Sequence, residues 1–138
     1  MKVPDFSLRH AKTNEIVSLS DFKGRKIMIT FWVSWCPDCL QDLPQKNQFY
    51  QSLSTEELAF ITINVTGREG NSRAGIDLMK LASFNFPVLL DEGTKIYDAF
   101  GCTSVPTTIL LNEYHEIVNT FDDKASFLDI LTGLSKLM

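Results

Sequence analysis

Cysteine occurs at Cys36, Cys39 and Cys102, and the first two stand three positions apart in Trp32-Val33-Ser34-Trp35-Cys36-Pro37-Asp38-Cys39. Two thiols at that spacing on a helical first turn come within bonding reach of each other. The chemistry on offer is dithiol–disulfide exchange. Pro37 suits the first helical position, where a missing N–H leaves nothing unpaired. Cys36 then occupies the cap, facing free backbone N–H groups and the positive end of the helix dipole, which favour its thiolate. Cys39, one turn further in, receives less of this help. The asymmetry assigns roles: Cys36 attacks, and Cys39 resolves the mixed disulfide.

Two blander uses of the pair are weaker. Cys-x-x-Cys is half of a zinc site, but no second such pair follows, and Cys102, His10 and His115 are scattered along the chain. No metal and no bound cofactor is expected. A structural crosslink over so short a loop would gain little loop-closure entropy.

The pair needs a strand that ends at it and a helix that begins there. Residues 26–33 are β-rich and apolar on both faces, as in a central strand. From Pro37 to about Leu53 the chain reads as a helix, with Leu40, Leu43, Tyr50 and Leu53 at helical spacing and Pro44 expected to kink it. Residues 6–8 and 16–19 read as short strands around the Lys12-Thr13-Asn14 turn, and 20–24 as a turn or short helical piece. Residues 58–65 form another two-sided apolar strand, followed by a polar loop over 66–72. A helix is expected over 74–84, with Ile76, Met79 and Leu81 facing inward. A short strand follows over 87–90 and a short helix over 95–100. Residues 107–111 and 116–121 read as a hairpin. The last helix starts near Lys124, with Phe127, Leu131, Leu134 and Met138 as its docking face. Alternating strands and helices make this an α/β chain with a parallel first half and an antiparallel hairpin near the end.

Composition agrees with one folded domain over residues 1–138. The 138 residues are 44% apolar and 22% charged, which excludes wholesale disorder. With 13 basic and 17 acidic residues the net charge is −4, and no basic block could hold a phosphate backbone, so nucleic acid is not expected as a partner. The longest apolar stretch, 27–33, already contains Thr30 and falls far short of the roughly 20 residues that cross a bilayer. The first residues lack the apolar run of a signal peptide. The letters favour a cytoplasmic location, with an extracytoplasmic one after removal of a leader or anchor as the alternative.

The chain resembles the thioredoxin superfamily over nearly its whole length, and within it the TlpA/ResA-like thiol–disulfide oxidoreductases. Val3-Pro4-Asp5-Phe6-Ser7-Leu8 and Leu19-Ser20-Asp21-Phe22-Lys23-Gly24 are similar to that family's N-terminal extension. Phe31-Trp32, Trp35-Cys36-Pro37-Asp38-Cys39 and Asp42-Leu43-Pro44 resemble its active-site helix, Asn85-Phe86-Pro87-Val88-Leu89-Leu90-Asp91 its central insertion, and Val105-Pro106-Thr107-Thr108 its cis-proline loop. The resemblance implies a thioredoxin-like α/β fold: a central mixed sheet flanked by helices, with an N-terminal β-hairpin extension and a central insertion. It implies that Pro106 is cis beside the cysteine pair. An extended substrate could then pair with the backbone of Val105 as an added strand, with Trp35 and Pro37 at the lip of the site.

Departures from the family carry their own expectations. Pro37-Asp38 stands between the cysteines where thioredoxin has Gly-Pro, and the Asp38 charge opposes the thiolate, which makes for a more reducing couple. Thr30 stands where thioredoxin carries a buried acid. Asp42 stands where TlpA/ResA-like proteins often carry Glu, three residues after Cys39 on the same helix face, and could accept the Cys39 proton. Cys102, four residues before Pro106, is expected as a small core hydrophobe rather than a third redox thiol. Trp32 should be packed, and His10 and His115 solvated.

These features add up to a thiol–disulfide oxidoreductase, expected as a monomer, reducing protein disulfides and reset by an upstream dithiol donor. The rivals are a peroxiredoxin, which needs Thr or Ser where Val33 stands, and a thioredoxin-fold metal carrier or scaffold without turnover.

Overall fold

The computed structural model describes residues 3–54, 56 and 58–138. Its centre is the pair of strands whose residues are apolar on both faces. β3 (Lys26–Trp32) and β4 (Leu58–Asn64) run parallel, and apart from Lys26 every residue of both is buried. Strands buried on both sides need cover on both sides, and the intervening helices supply it.

Among the described residues, seven strands make one sheet in the order β2-β1-β5-β4-β3-β6-β7. β5 (Val88–Leu90) extends the parallel set beside β4, while β6 (Thr107–Leu111) runs antiparallel to β3 and turns back into β7 (Ile117–Phe121). β1 (Ser7–His10) and β2 (Ile16–Ser18) form the N-terminal hairpin, and β1 adds antiparallel to the outer side of β5. The helices are α1 (Pro37–Ser52), α2 (Ala74–Ala82), α3 (Lys95–Ala99) and α4 (Phe127–Leu137). This is the thioredoxin-like α/β arrangement, with the expected parallel half and terminal hairpin.

Several expected faces shift. α1 continues through Pro44, and its buried stripe is Cys39, Leu43 and Lys46, while Leu40 is 44% exposed. α2 ends at Ala82 because Ser83 takes a left-handed cap (φ 55°), and Leu81, placed inward by the sequence, is 86% exposed. α4 begins at Phe127, not near Lys124. Ser126 accepts from the Asp129 N–H at 3.1 Å, and Asp129 accepts from the Ser126 N–H at 2.9 Å, a reciprocal cap that fixes the start. Its buried residues are Ile130 and Leu134, and Met138 is exposed. His10 and His115 are partly buried rather than solvated. The His10 Nδ1 accepts from the Lys12 N–H at 3.0 Å, and the His115 Nε2 lies 2.9 Å from the Phe22 carbonyl.

Candidate functional site

β3 delivers the chain to Val33, and α1 starts four residues later with Cys36 as its N-cap and Pro37 in its first turn. The loop between them is tethered rather than left to solvent. The Glu69 carboxylate accepts from the Ser34 N–H (2.8 Å), the Ser34 hydroxyl (2.6 Å) and the Asn64 side-chain amide (2.8 Å). One residue back, the Arg68 carbonyl accepts from the Trp35 indole at 2.8 Å. The Arg68 guanidinium in turn donates to the Tyr97 hydroxyl at 2.6 Å and lies over the Tyr97 ring.

The 66–69 segment that carries these groups is itself fixed by a close backbone approach. Gly67 donates to the Gly93 carbonyl at 2.9 Å, and a Cβ on Gly67 would lie 2.6 Å from the Gly93 backbone. Only glycine fits there without moving the loop.

Cys36 and Cys39 are both free thiols and differ in access. Cys36 keeps 7% exposure at the helix start, and its Sγ donates to the Val105 carbonyl at 3.5 Å. The Val105–Pro106 bond is cis, as the family resemblance implied. Trp35 is 55% exposed beside Cys36, at the lip where it was expected, and Trp32 is fully packed. Pro37 and Asp38 are exposed on the first turn of α1.

Cys39 has no exposure, and burial pushes its thiol far up from its ordinary value. A hydrogen bond with the Val33 backbone opposes that rise, while Cys36 and Asp42 add to it. Cys102 is a third buried thiol, pushed up to about 12 by burial first and then by Asp91 and Asp98. It fills core space, as the sequence suggested.

Asp42 lies on the expected face of α1, but not alone. Its Oδ2 is 2.5 Å from the Nζ of Lys46, one turn on. Lys46 is fully buried, and its Nζ also donates to the Thr108 hydroxyl at 2.7 Å. Thr108 is 3.0 Å from the Thr30 hydroxyl across the β3–β6 pairing. Where the sequence noted only a missing acid at Thr30, the structure places a polar floor of Thr30, Thr108, Lys46 and Asp42. The front edge of that floor reaches solvent. Asp42 lines a groove of about 420 Å³ that also touches Asp38, Pro106 and Asp123.

Lys46 and Glu69 were not singled out from sequence. Lys46 had a legible signal, since 39, 43 and 46 follow the helical period. Glu69 had none, because it reaches Ser34 from a loop 35 residues away.

The Redoxin family model matches residues 1–127. The chain belongs to the Redoxin family. Among curated proteins it is 33% identical over 118 residues to sporulation thiol-disulfide oxidoreductase A of Bacillus subtilis, covering 86% of this chain and 71% of that protein. It is 31% identical over 116 residues to thiol-disulfide oxidoreductase ResA of the same organism, covering 83% of this chain and 62% of ResA. The chain therefore spans under two thirds of the ResA length. Among solved structures, StoA from Bacillus subtilis superposes with a TM-score of 0.82 at 28% identity, covering 95% of this chain and 96% of that one. The pneumococcal exposed lipoprotein thioredoxin Etrx1 from Streptococcus pneumoniae superposes with a TM-score of 0.85 at 29% identity, covering 97% of this chain and all of the other. Within the Redoxin family the chain is thus a ResA/StoA-like member of the thioredoxin superfamily, and its homologues are thiol–disulfide oxidoreductases.

Proposed function

We propose that this single domain exchanges its Cys36–Cys39 dithiol with protein disulfides and works as a reductant. The observation that carries this is the graded access of the pair. Cys36 sits at the helix start against the Val105 carbonyl, and Cys39 is sealed one turn behind it. An incoming disulfide meets Cys36 first. The Cys36 thiolate attacks one substrate sulfur, forming a mixed disulfide and releasing the other sulfur as a thiolate. Val105, Pro106, Pro37 and the exposed face of Trp35 hold the substrate segment. Asp42 takes the Cys39 proton, directly or through one water from the groove it lines. The Cys39 thiolate then attacks Cys36, closes the internal disulfide and frees the second substrate sulfur. An upstream dithiol resets the pair.

The direction rests on Asp38, whose charge beside the sulfurs disfavours the thiolate form and so makes the couple more reducing. A reduction potential at or below about −270 mV fits a reductant, whereas one near −120 mV, the range of a strong oxidant, overturns that direction. For the roles, Cys39→Ser should accumulate mixed disulfides with substrate proteins and Cys36→Ser should accumulate none. Trapping by Cys36→Ser alone would reverse the assignment.

A further inference from the structure

Burying an ammonium is costly unless every part of it is paired. The inner stripe of α1 could have been filled by an aliphatic residue at 46 with no such cost. Lysine stands there instead, fully buried, seven residues after Cys39 on the same face. Side chains on a helix lean toward its N-terminus. That lean carries the Lys46 Nζ back one turn to Asp42, on the buried face that also holds Cys39.

We propose that Lys46 is a positioning residue for the resolving step: its ammonium, anchored between Asp42 and Thr108 on the buried face of α1, is the counter-cation that lets the Cys39 thiolate form inside the core. This rests on the assignment of Cys39 as the resolving thiol.

An ammonium can donate three hydrogen bonds. Among the described residues two are engaged, by Asp42 at 2.5 Å and by Thr108 at 2.7 Å. The Thr30 hydroxyl backs Thr108, so the amine is fixed from the sheet side as well as from its own helix. The groups facing it are few. On α1 they are Asp42 and Cys39. On β3 and β6 they are the hydroxyls of Thr30 and Thr108, which do not titrate in water. Burial lowers the Lys46 pKa, and Asp42 first and then Cys39 oppose that fall.

The proton transfer within the cluster conserves charge. Before it, the cluster holds a carboxylate at Asp42, an ammonium at Lys46 and a thiol at Cys39. The Cys39 proton passes to Asp42, leaving a carboxylic acid, the same ammonium and a thiolate. The thiolate attacks the Cys36 sulfur of the mixed disulfide, the Cys36–Cys39 bond forms, and the bond to substrate breaks. The substrate sulfur leaves with the electron pair and takes its proton from solvent. The protein loses two electrons and the substrate gains them. The proton transfer creates no net charge in the core, and once the substrate thiolate has left, Asp42 releases its proton to water in the groove it lines, which restores the neutral Asp42–Lys46 pair. With Lys46 absent, the same transfer would leave a thiolate buried without a cation.

The test uses the whole chain loaded at Cys36 with 5-thio-2-nitrobenzoate. Release of the coloured thiol then reports attack by Cys39. Lys46→Met should load at the wild-type rate but release at least tenfold more slowly at neutral pH, with the profile displaced to higher pH. Lys46→Arg should recover part of the rate. Wild-type release and an unmoved profile in a folded Lys46→Met protein would overturn the proposal. If that variant does not fold, Lys46→Gln is read against the same two outcomes. Cys39→Ser keeps the two levels apart. If it releases the probe as fast as wild type, the resolving assignment itself fails. If it stops release while Lys46→Met does not slow it, only the role of Lys46 fails.

Discussion

Cys39 and Cys102 are both buried thiols, and burial is the first cause raising the pKa of each. Their neighbourhoods diverge after that. Cys39 shares the inner face of α1 with an ammonium held by a carboxylate and the Thr108 hydroxyl. The charged groups acting on Cys102 are the carboxylates of Asp91 and Asp98, which push it the same way as burial does. Asp91 is committed elsewhere, accepting from the Ile96 and Tyr97 N–H groups at the start of α3. Desolvation alone therefore does not separate a working thiol from an inert one. On the proposed roles, a nearby cation and a proton acceptor with a route to solvent make the difference.

The contrast can be broken most severely at Asp42. Asp42→Ala strands Lys46 as an uncompensated buried charge, and such losses cost about 3–5 kcal/mol. Denaturant unfolding should show that loss, and a change under about 1 kcal/mol would mean the lysine finds water or another partner. Asp42→Asn should also lose stability, because a neutral amide leaves the ammonium unbalanced too.

A smaller effect is expected at the tether of the Cys36 loop. Glu69→Ala removes a charged acceptor from three donors and should cost about 2 kcal/mol, since hydrogen bonds to charged groups are worth more than neutral ones. It should also slow loading of Cys36 while leaving release by Cys39 close to wild type. Slowed release with normal loading would show that the loop serves the other sulfur.

The mildest change is Cys102→Ala, with a cost of roughly 1 kcal/mol and unaltered turnover. Its signature lies in pH. The folded pKa of Cys102 is raised from 9.0 to about 12, so its contribution is complete below pH 9 and is lost as the pH climbs toward 12, where the unfolded chain's thiol ionises and the native one does not. Reduced wild-type protein should lose stability across that window, and Cys102→Ala should lose less. Equal slopes would mean that Cys102 ionises freely in the native state.

What could be read from the sequence was local. The Cys36–Cys39 spacing, Pro37 and the two-sided apolar strands each declare themselves within a few residues, so β3, α1 and β4 and the junction between them were legible. The inner face of α1 was legible at Leu43, Tyr50 and Leu53 but not at Lys46, because a lysine carries no apolar signal. Leu40 matched the pattern by type, yet it projects outward. The end of α2 was set by the left-handed Ser83, which no apolar pattern signals. At α4 the Ser126-x-x-Asp129 pair did carry a start signal, but hydrophobic spacing alone placed the helix earlier. Glu69 acts across the fold, and sequence distance hid it.

The N-terminal hairpin has a bearing on association between sheet edges. β5 is three consecutive apolar residues, Val88-Leu89-Leu90, and its inner side is taken by β4. Its outer side is taken by Arg9 and His10 of β1, and the Ala11 N–H donates to the Val88 carbonyl at 2.8 Å. Without that cover β5 would end the sheet, presenting unpaired backbone flanked by aliphatic side chains, a template on which foreign strands aggregate. β1 and β2 move the open margin outward to a three-residue strand, Ile16-Val17-Ser18, too short to recruit a long partner and interrupted at once by the turn at Leu19–Phe22. The extension thus acts as a guard against fibrous association, independent of any part it plays near the cysteines.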